Sequence, residues 1–352
     1  MSAARRAVDE VESPEAASSG GWNFEPDGAR ASRLAADIDD RLIGSIRYLE
    51  GEIGSEIGWD AEKLERWTAT LAQAQRIDCL VHVLFHSLVE AVQADDFASA
   101  GRIAQRLLKS GSAPPQLTIL PLEADPDGPR ALSLFGRFVD LEEDNRLDLI
   151  VPDPAALGPS ILLIEEALDL IRRNDPDLDR ELRAFVTDIL LFHQGPDHLL
   201  VSAAASCFQN WGGLLVNPSV QRDALDIVEL LAHESTHLLL FALALDEPLL
   251  TNPASERHFS PLRDAPRTMD GVYHATIVCA RVMRALLRQA AAPDADAGFR
   301  EAALDRAKRS RVLFDESVAI VETAARLTPL GRAVLDGTRK AADALRPALL
   351  ET

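Results

Sequence analysis

Over most of this chain apolar residues recur three and four positions apart, a period that predicts helices packed through one face. From Ala31 the stripe runs Leu34, Ile38, Leu42, Ile46 and Leu49. Asp60 is placed to N-cap a second helix carrying Leu64, Trp67 and Leu71. A third helix is expected from Ile77 to Ala94 and a fourth from Asp96 to Leu108. Gly111 to Arg130, with Pro114-Pro115 and Asp125-Pro-Asp-Gly-Pro129, reads as a long connection. Residues 131–150 mix short apolar runs with Asp140–Asp144, which reads as a solvated face. Helices are expected again at 159–173 and 177–193, the latter with Phe185, Val186, Ile189 and Leu190 on its apolar side.

The pattern then changes. Leu199–Ala203 and Gly213–Asn217 are short apolar runs on either side of Trp211-Gly-Gly, and they predict two strands. A strong helix follows over 220–244. Asp246 to Met269, with Pro248, Pro253, Pro261 and Pro266, is read as irregular, and helices resume at 271–291, 297–327 and 330–350. The fold class expected is mostly α with a small β-sheet (α+β). Residues 1–30 read as a flexible tail with Trp22 and Phe24 able to dock on the body, and 31–112 as an N-terminal helical part. Residues 113–130 form the connection, and 131–352 the metal-binding part, with one compact unit including 31–112 as the alternative division.

The helix over 220–244 carries the chemistry. His233-Glu234-Ser-Thr-His237 is His-Glu-x-x-His, and residues four apart lie on one helical face. Two neutral imidazoles side by side on a rigid helix can hold a divalent first-row metal, with Glu234 next to them. A third protein ligand is required. Glu247 and Glu256 lie in the irregular stretch, as does His258, whereas His274 opens a periodic helix that can present a ligand rigidly. His82, His86 and Glu90, also four apart, form a second candidate metal face, although their apolar neighbours favour a packing role. Arg257, Arg263, Arg267 and Arg281 cluster in sequence around His274. A guanidinium near a metal suits a chelating ligand with a distal carboxylate, which it binds through paired hydrogen bonds.

Composition narrows the partners. The chain has 352 residues, with 36 basic and 56 acidic side chains and a formal charge of −20. A field of that sign repels phosphate backbones and anionic lipid surfaces, so no nucleic acid and no membrane is expected as partner. Cys79, Cys207 and Cys279 have no paired spacing and read as buried thiols in a reducing compartment. The first residues lack an apolar core, and the most apolar window, 227–245, is interrupted by Glu229, His233, Glu234 and His237. A cytoplasmic, soluble protein is expected, with a dimer possible in principle.

His233-Glu-Ser-Thr-His237, Ser260-Pro-Leu-Arg263, Arg267, Gly271-Val-Tyr-His274 and Ala280-Arg281 together resemble the HExxH-type 2-oxoglutarate-dependent peptide β-hydroxylases, which act on ribosomally made precursor peptides. The resemblance covers about Ser206 to Arg284, with Thr268 where proline is expected in many relatives. It implies Fe(II) held by His233, His237 and His274, 2-oxoglutarate as cosubstrate, and a precursor peptide as substrate. It also implies that Arg263 and Arg281, with Arg267 as a further candidate, bind the distal carboxylate, and that Glu234 supports a ligand histidine. The alternative is a zinc-dependent metallopeptidase in which Glu234 is the general base.

Overall fold

A computed structural model describes residues 22–139, 147–199 and 201–349; the acidic run Asp140–Asp144 and most of the N-terminal tail lie outside them. The first helix, α1 (Gly28–Ile53), starts at Asp27, whose carboxylate accepts from the amides of Ala29 and Arg30, and it buries Ile38, Leu42 and Ile46. The second, α2 (Ala61–Leu71), is capped by Asp60, which accepts from the Lys63 amide. Then come α3 (Cys79–Gln93) and α4 (Phe97–Leu107), with bounds close to those the periodicity predicts.

The long connection is not structureless. Its middle forms β1 (Thr118–Pro121), and a one-turn helix α5 (Leu132–Phe135) and a two-residue strand β2 (Leu149–Ile150) follow later. Two helices, α6 (Gly158–Asn174) and α7 (Pro176–Phe185), are joined at Asp175, whose carboxylate caps α7. The helix expected to run on to 193 ends at Phe185. Val186 is extended, and Asp188–Leu191 forms β3, buried at all four positions. A strand covered on both faces is continuously apolar and cannot be told by period from a buried helix end.

Next are β4 (His193–Gln194), β5 (Ala204–Ala205) and β6 (Gly213–Val216). The main sheet has the order β1-β3-β6-β5; β1, β3 and β6 are parallel, and β5 runs antiparallel at the edge, with Ala205 opposite Leu215. Of the first predicted strand, the sheet holds only residues just beyond it. Gly212 introduces β6 at φ 88°, a conformation other residues adopt at a cost, and a Cβ there would also meet the Thr187 hydroxyl at 3.0 Å.

The motif helix is α8 (Ala224–Leu243), capped by Asp223. The stretch read as irregular contains a hairpin, β7 (Arg257–Ser260) and β8 (Ala265–Thr268), in which His258 faces Arg267. Thr268 ends it and caps α9 (Met269–Ala290), accepting from the Gly271 amide at 3.2 Å. Two further helices, α10 (Ala297–Ala324, unbroken) and α11 (Pro329–Ala344), close the chain. The result is mostly helical with small sheets, as the pattern predicts. No helix among the described residues is long and apolar enough to cross a membrane.

Three clusters make the core. The largest joins Phe24 and α1 to α6, α7, α8 and α9; a second joins α1–α4 to Leu190, Phe192 and Leu215 of the sheet region; a third packs Leu240 against Tyr273, Ile277 and the last two helices. The sheet therefore has the early helices on one side and the motif helix on the other. Glu181 of α7, with no exposed side-chain surface, accepts from Arg281 of α9 and from Arg30 of α1 at 3.3 Å. Arg281 also donates to the Phe24 carbonyl at 2.8 Å and to Thr236 of α8 at 3.1 Å. Replacing Arg281 by Met leaves a buried carboxylate held only by Arg30 and the Asp27 amide, so urea unfolding of Arg281→Met should show a loss of about 3 kcal/mol.

Candidate metal centre

The site is built where α8 crosses α9. The capping of α8 by Asp223 sets the helical phase, and its continuous apolar flanks bury it on nearly every side. His233 and His237 emerge one above the other on its open face, with ring centroids 4.9 Å apart. Tyr273 anchors α9 alongside by donating to the Gly331 carbonyl at 2.8 Å, and the next residue is His274. Its ring stacks on His237, with centroids 5.4 Å apart, and Phe241 closes the far side of both rings. The three histidines read from the sequence are therefore neighbours.

Their nitrogens are arranged in line. His237 Nε2 lies 3.1 Å from His233 Nε2, and His237 Nδ1 lies 3.1 Å from His274 Nδ1. Two cis ligands on an ion at about 2.1 Å are themselves about 3 Å apart, so His233 and His237 fit a shared metal as they stand. His274 meets the opposite nitrogen of His237, and it joins the other two around one point only by turning. Burial holds all three rings neutral: His233 is lowered to about 4, His237 falls well below the ordinary histidine value, and His274 is lowered despite the opposing charge of Asp270. Neutral imidazole is the form that ligates.

Glu234, buried beside them, accepts from the Ser206 hydroxyl at 2.5 Å. Burial raises its carboxyl to about 7 against the opposing effects of Ser206 and Arg263. Ser206 follows β5, so the antiparallel edge of the sheet positions the partner of Glu234. That link was not legible in the motif.

Arg263, in the turn of the β7–β8 hairpin, lines the same cavity as His233 and Glu234. Desolvation and the neighbouring Arg267 lower its pKa, and neither arginine has a carboxylate partner among the described residues. Arg281 is placed differently from expectation. All three of its nitrogens are engaged, by Thr236, Phe24 and Glu181, and it is 2% exposed. Seven residues beyond His274, it faces the interior behind α8 and does not line the cavity. Of the three arginines named from the sequence, Arg263 is the one that lines the cavity.

The cavity has a volume of about 510 Å³. Its walls are the α8 face from Asp226 to Glu234, residues 202–204 leading into β5, Val220 and Gln221 ahead of α8, the hairpin turn, and Arg309 of α10. The downstream alternatives lie elsewhere: Glu256 is held by Asn252 and Arg326, and His258 is 3.8 Å from Glu256.

The second candidate face does not form a ligand set. His82 Nε2 is 3.0 Å from Asp39, Glu90 pairs with Arg137 at 2.6 Å, and His86 sits edge-on among Phe85, Phe138 and Phe208. Asp78, Cys79 and Asp188 do bring donor atoms within 4.8 Å of one another, but Arg130 bridges the two carboxylates at 3.2 and 2.6 Å, as expected for a buried ion-pair cluster. Compared with known proteins, the chain matches no protein-family model and no curated protein.

Burial lowers His86 to about 4, with His82 adding to the effect. In the unfolded chain it titrates near 6.5, so between those values only the unfolded state takes up the proton. Its contribution to stability is therefore fully present above 6.5 and is lost as pH falls towards 4. His86→Phe should flatten the decline of unfolding free energy across that window, measured by urea titration at its two ends.

Proposed function

We propose that this chain is an Fe(II)- and 2-oxoglutarate-dependent oxygenase that hydroxylates the β-carbon of a residue in a ribosomally made precursor peptide. The observation that carries this reading is Arg263, a guanidinium without a carboxylate partner among the described residues, beside a pair of neutral imidazoles in a protein of charge −20. With 20 more acidic than basic groups available, leaving Arg263 and Arg267 unpaired suits an anionic ligand supplied from solution.

His233 and His237 would hold the metal through Nε2, with His274 as third ligand. When bound, Fe(II) with 2-oxoglutarate and oxygen supplies the oxidation of C–H to C–OH, giving succinate and carbon dioxide. Arg263, reinforced by Arg267, binds the distal carboxylate of the oxo-acid and orients it. Stacking of Phe241 on the histidine rings keeps water from their far side. Glu234, held by Ser206, is a positioning residue that fixes the cavity wall next to His233.

A second reading rests on the same carboxyl. A group titrating at about 7 next to two imidazoles is poised as a general base, as zinc-dependent peptide hydrolysis requires. That reading predicts cleavage without 2-oxoglutarate, abolished in Glu234→Gln.

The oxygenase reading predicts succinate formation that depends on iron, oxygen and a precursor peptide, with the peptide gaining one oxygen atom in mass. His233→Ala and His237→Ala should lose metal and turnover together. Arg263→Met should raise the KM for 2-oxoglutarate on the order of tenfold to a hundredfold, the loss of charge-assisted hydrogen bonds. Absence of succinate with iron and peptide present sinks the proposal.

A further inference from the structure

The cavity extends well past the histidines. Asp226, at its far end on α8, precedes His233 by seven residues, or about 10 Å along the helix axis. Glu229 lies between, one turn before His233 on the same face. Its carboxylate has no hydrogen-bond or ion-pair partner among the described residues, although it lines the cavity wall. Gln221, from the turn leading into α8, lines the same end, and its Nε2 is buried with no hydrogen-bond partner. Arg309 of α10 lines the same end near Glu229, and it too has no ion-pair partner among the described residues.

An unpaired acceptor and two unpaired donors on one surface ask for a ligand group that has both. The charge around them decides which. Asp226 is already paired, to Arg222 at 3.1 Å and to Arg306 at 2.7 Å. With Arg222 and Arg306 paired to Asp226, the charges left over are Glu229 and Arg309, of opposite sign, so a cationic side chain entering here meets Arg309. A carboxylate in turn meets Glu229. A neutral carboxamide meets neither penalty: its NH₂ donates to Glu229 while its C=O accepts from Gln221 and Arg309. Leaving these buried polar groups unmatched is what rejects an apolar side chain.

We propose that this end of the cavity is a specificity subsite for a carboxamide side chain, selecting an asparagine or glutamine of the peptide. The proposal rests on the peptide reading of the site above. Glu229 accepts, Gln221 and Arg309 donate, and none of the three is hydrogen-bonded to a histidine.

The test uses terminally blocked pentapeptides differing only in the central residue (Asn, Gln, Asp, Leu or Lys), titrated calorimetrically into the full chain. The Asn or Gln peptide should bind at least about tenfold more tightly than the Leu peptide, the contribution of hydrogen bonds to a charged group. Glu229→Leu and Gln221→Leu should bring that ratio close to one, whereas Glu229→Gln, which keeps the acceptor without its charge, should retain part of it. The Co(II) absorption spectrum of each variant reports whether the histidine site is folded. Equal binding of all five peptides, no binding at millimolar concentration, a preference for Asp, Lys or Leu, or a ratio unchanged in Glu229→Leu each overturns the proposal. A carboxamide preference in wild type, lost in Glu229→Leu but without succinate formation, supports the subsite and removes the oxygenase reading instead.

Discussion

The contact on which the site depends is between α8 and α9, where His237 lies against His274. Neither helix could present a metal set alone. The two histidines of α8 are one turn apart and fixed by a helix buried on nearly every side, and the third donor arrives on a helix anchored by Tyr273. Moving α9 by a single turn would separate the rings. The buried Glu181–Arg281 pair ties these helices to α7 and to the start of α1, so the phase between α8 and α9 is set by charge pairing as well as by apolar packing.

Burial has opposite consequences for the two kinds of titratable group in the site. It pushes the imidazoles down, into the neutral form that can ligate, and it pushes Glu234 up towards neutrality. One desolvated environment thus leaves neutral imidazole nitrogens beside a carboxyl raised to about 7. The two functional readings diverge on whether that carboxyl supports a ligand or attacks through water. The unpaired Arg263 suits the first, because a chelating oxo-acid always brings a carboxylate to be neutralised, for which peptide hydrolysis has less need.

Most of the helices, and the helical cap at Asp60, were legible from period and capping chemistry. So was the pairing of His233 with His237, because a four-residue spacing on an apolar helix has only one geometric outcome, whereas the approach of His274 depends on how the next helix packs. The strands β1 and β3 were not, since a four-residue buried strand has neither alternation nor length to set it apart from a loop or a helix end. The β7–β8 hairpin was hidden by its prolines. Arg281 shows a different limit: it lies seven residues beyond His274 on α9, but spacing does not say which neighbour a helix face meets. Glu229, Gln221 and Arg309 come from three elements, and only folding brings them to one wall.

The hydrogen bond from Arg281 to the Phe24 carbonyl gives the segment ahead of α1 an influence beyond its own packing. The same guanidinium donates to Thr236, whose neighbour in the chain is His237. One side chain therefore links the backbone at position 24 to the helix turn that carries the central histidine. Removal of the chain through Phe24 would therefore take an acceptor from the guanidinium that also holds the turn of α8 beside His237.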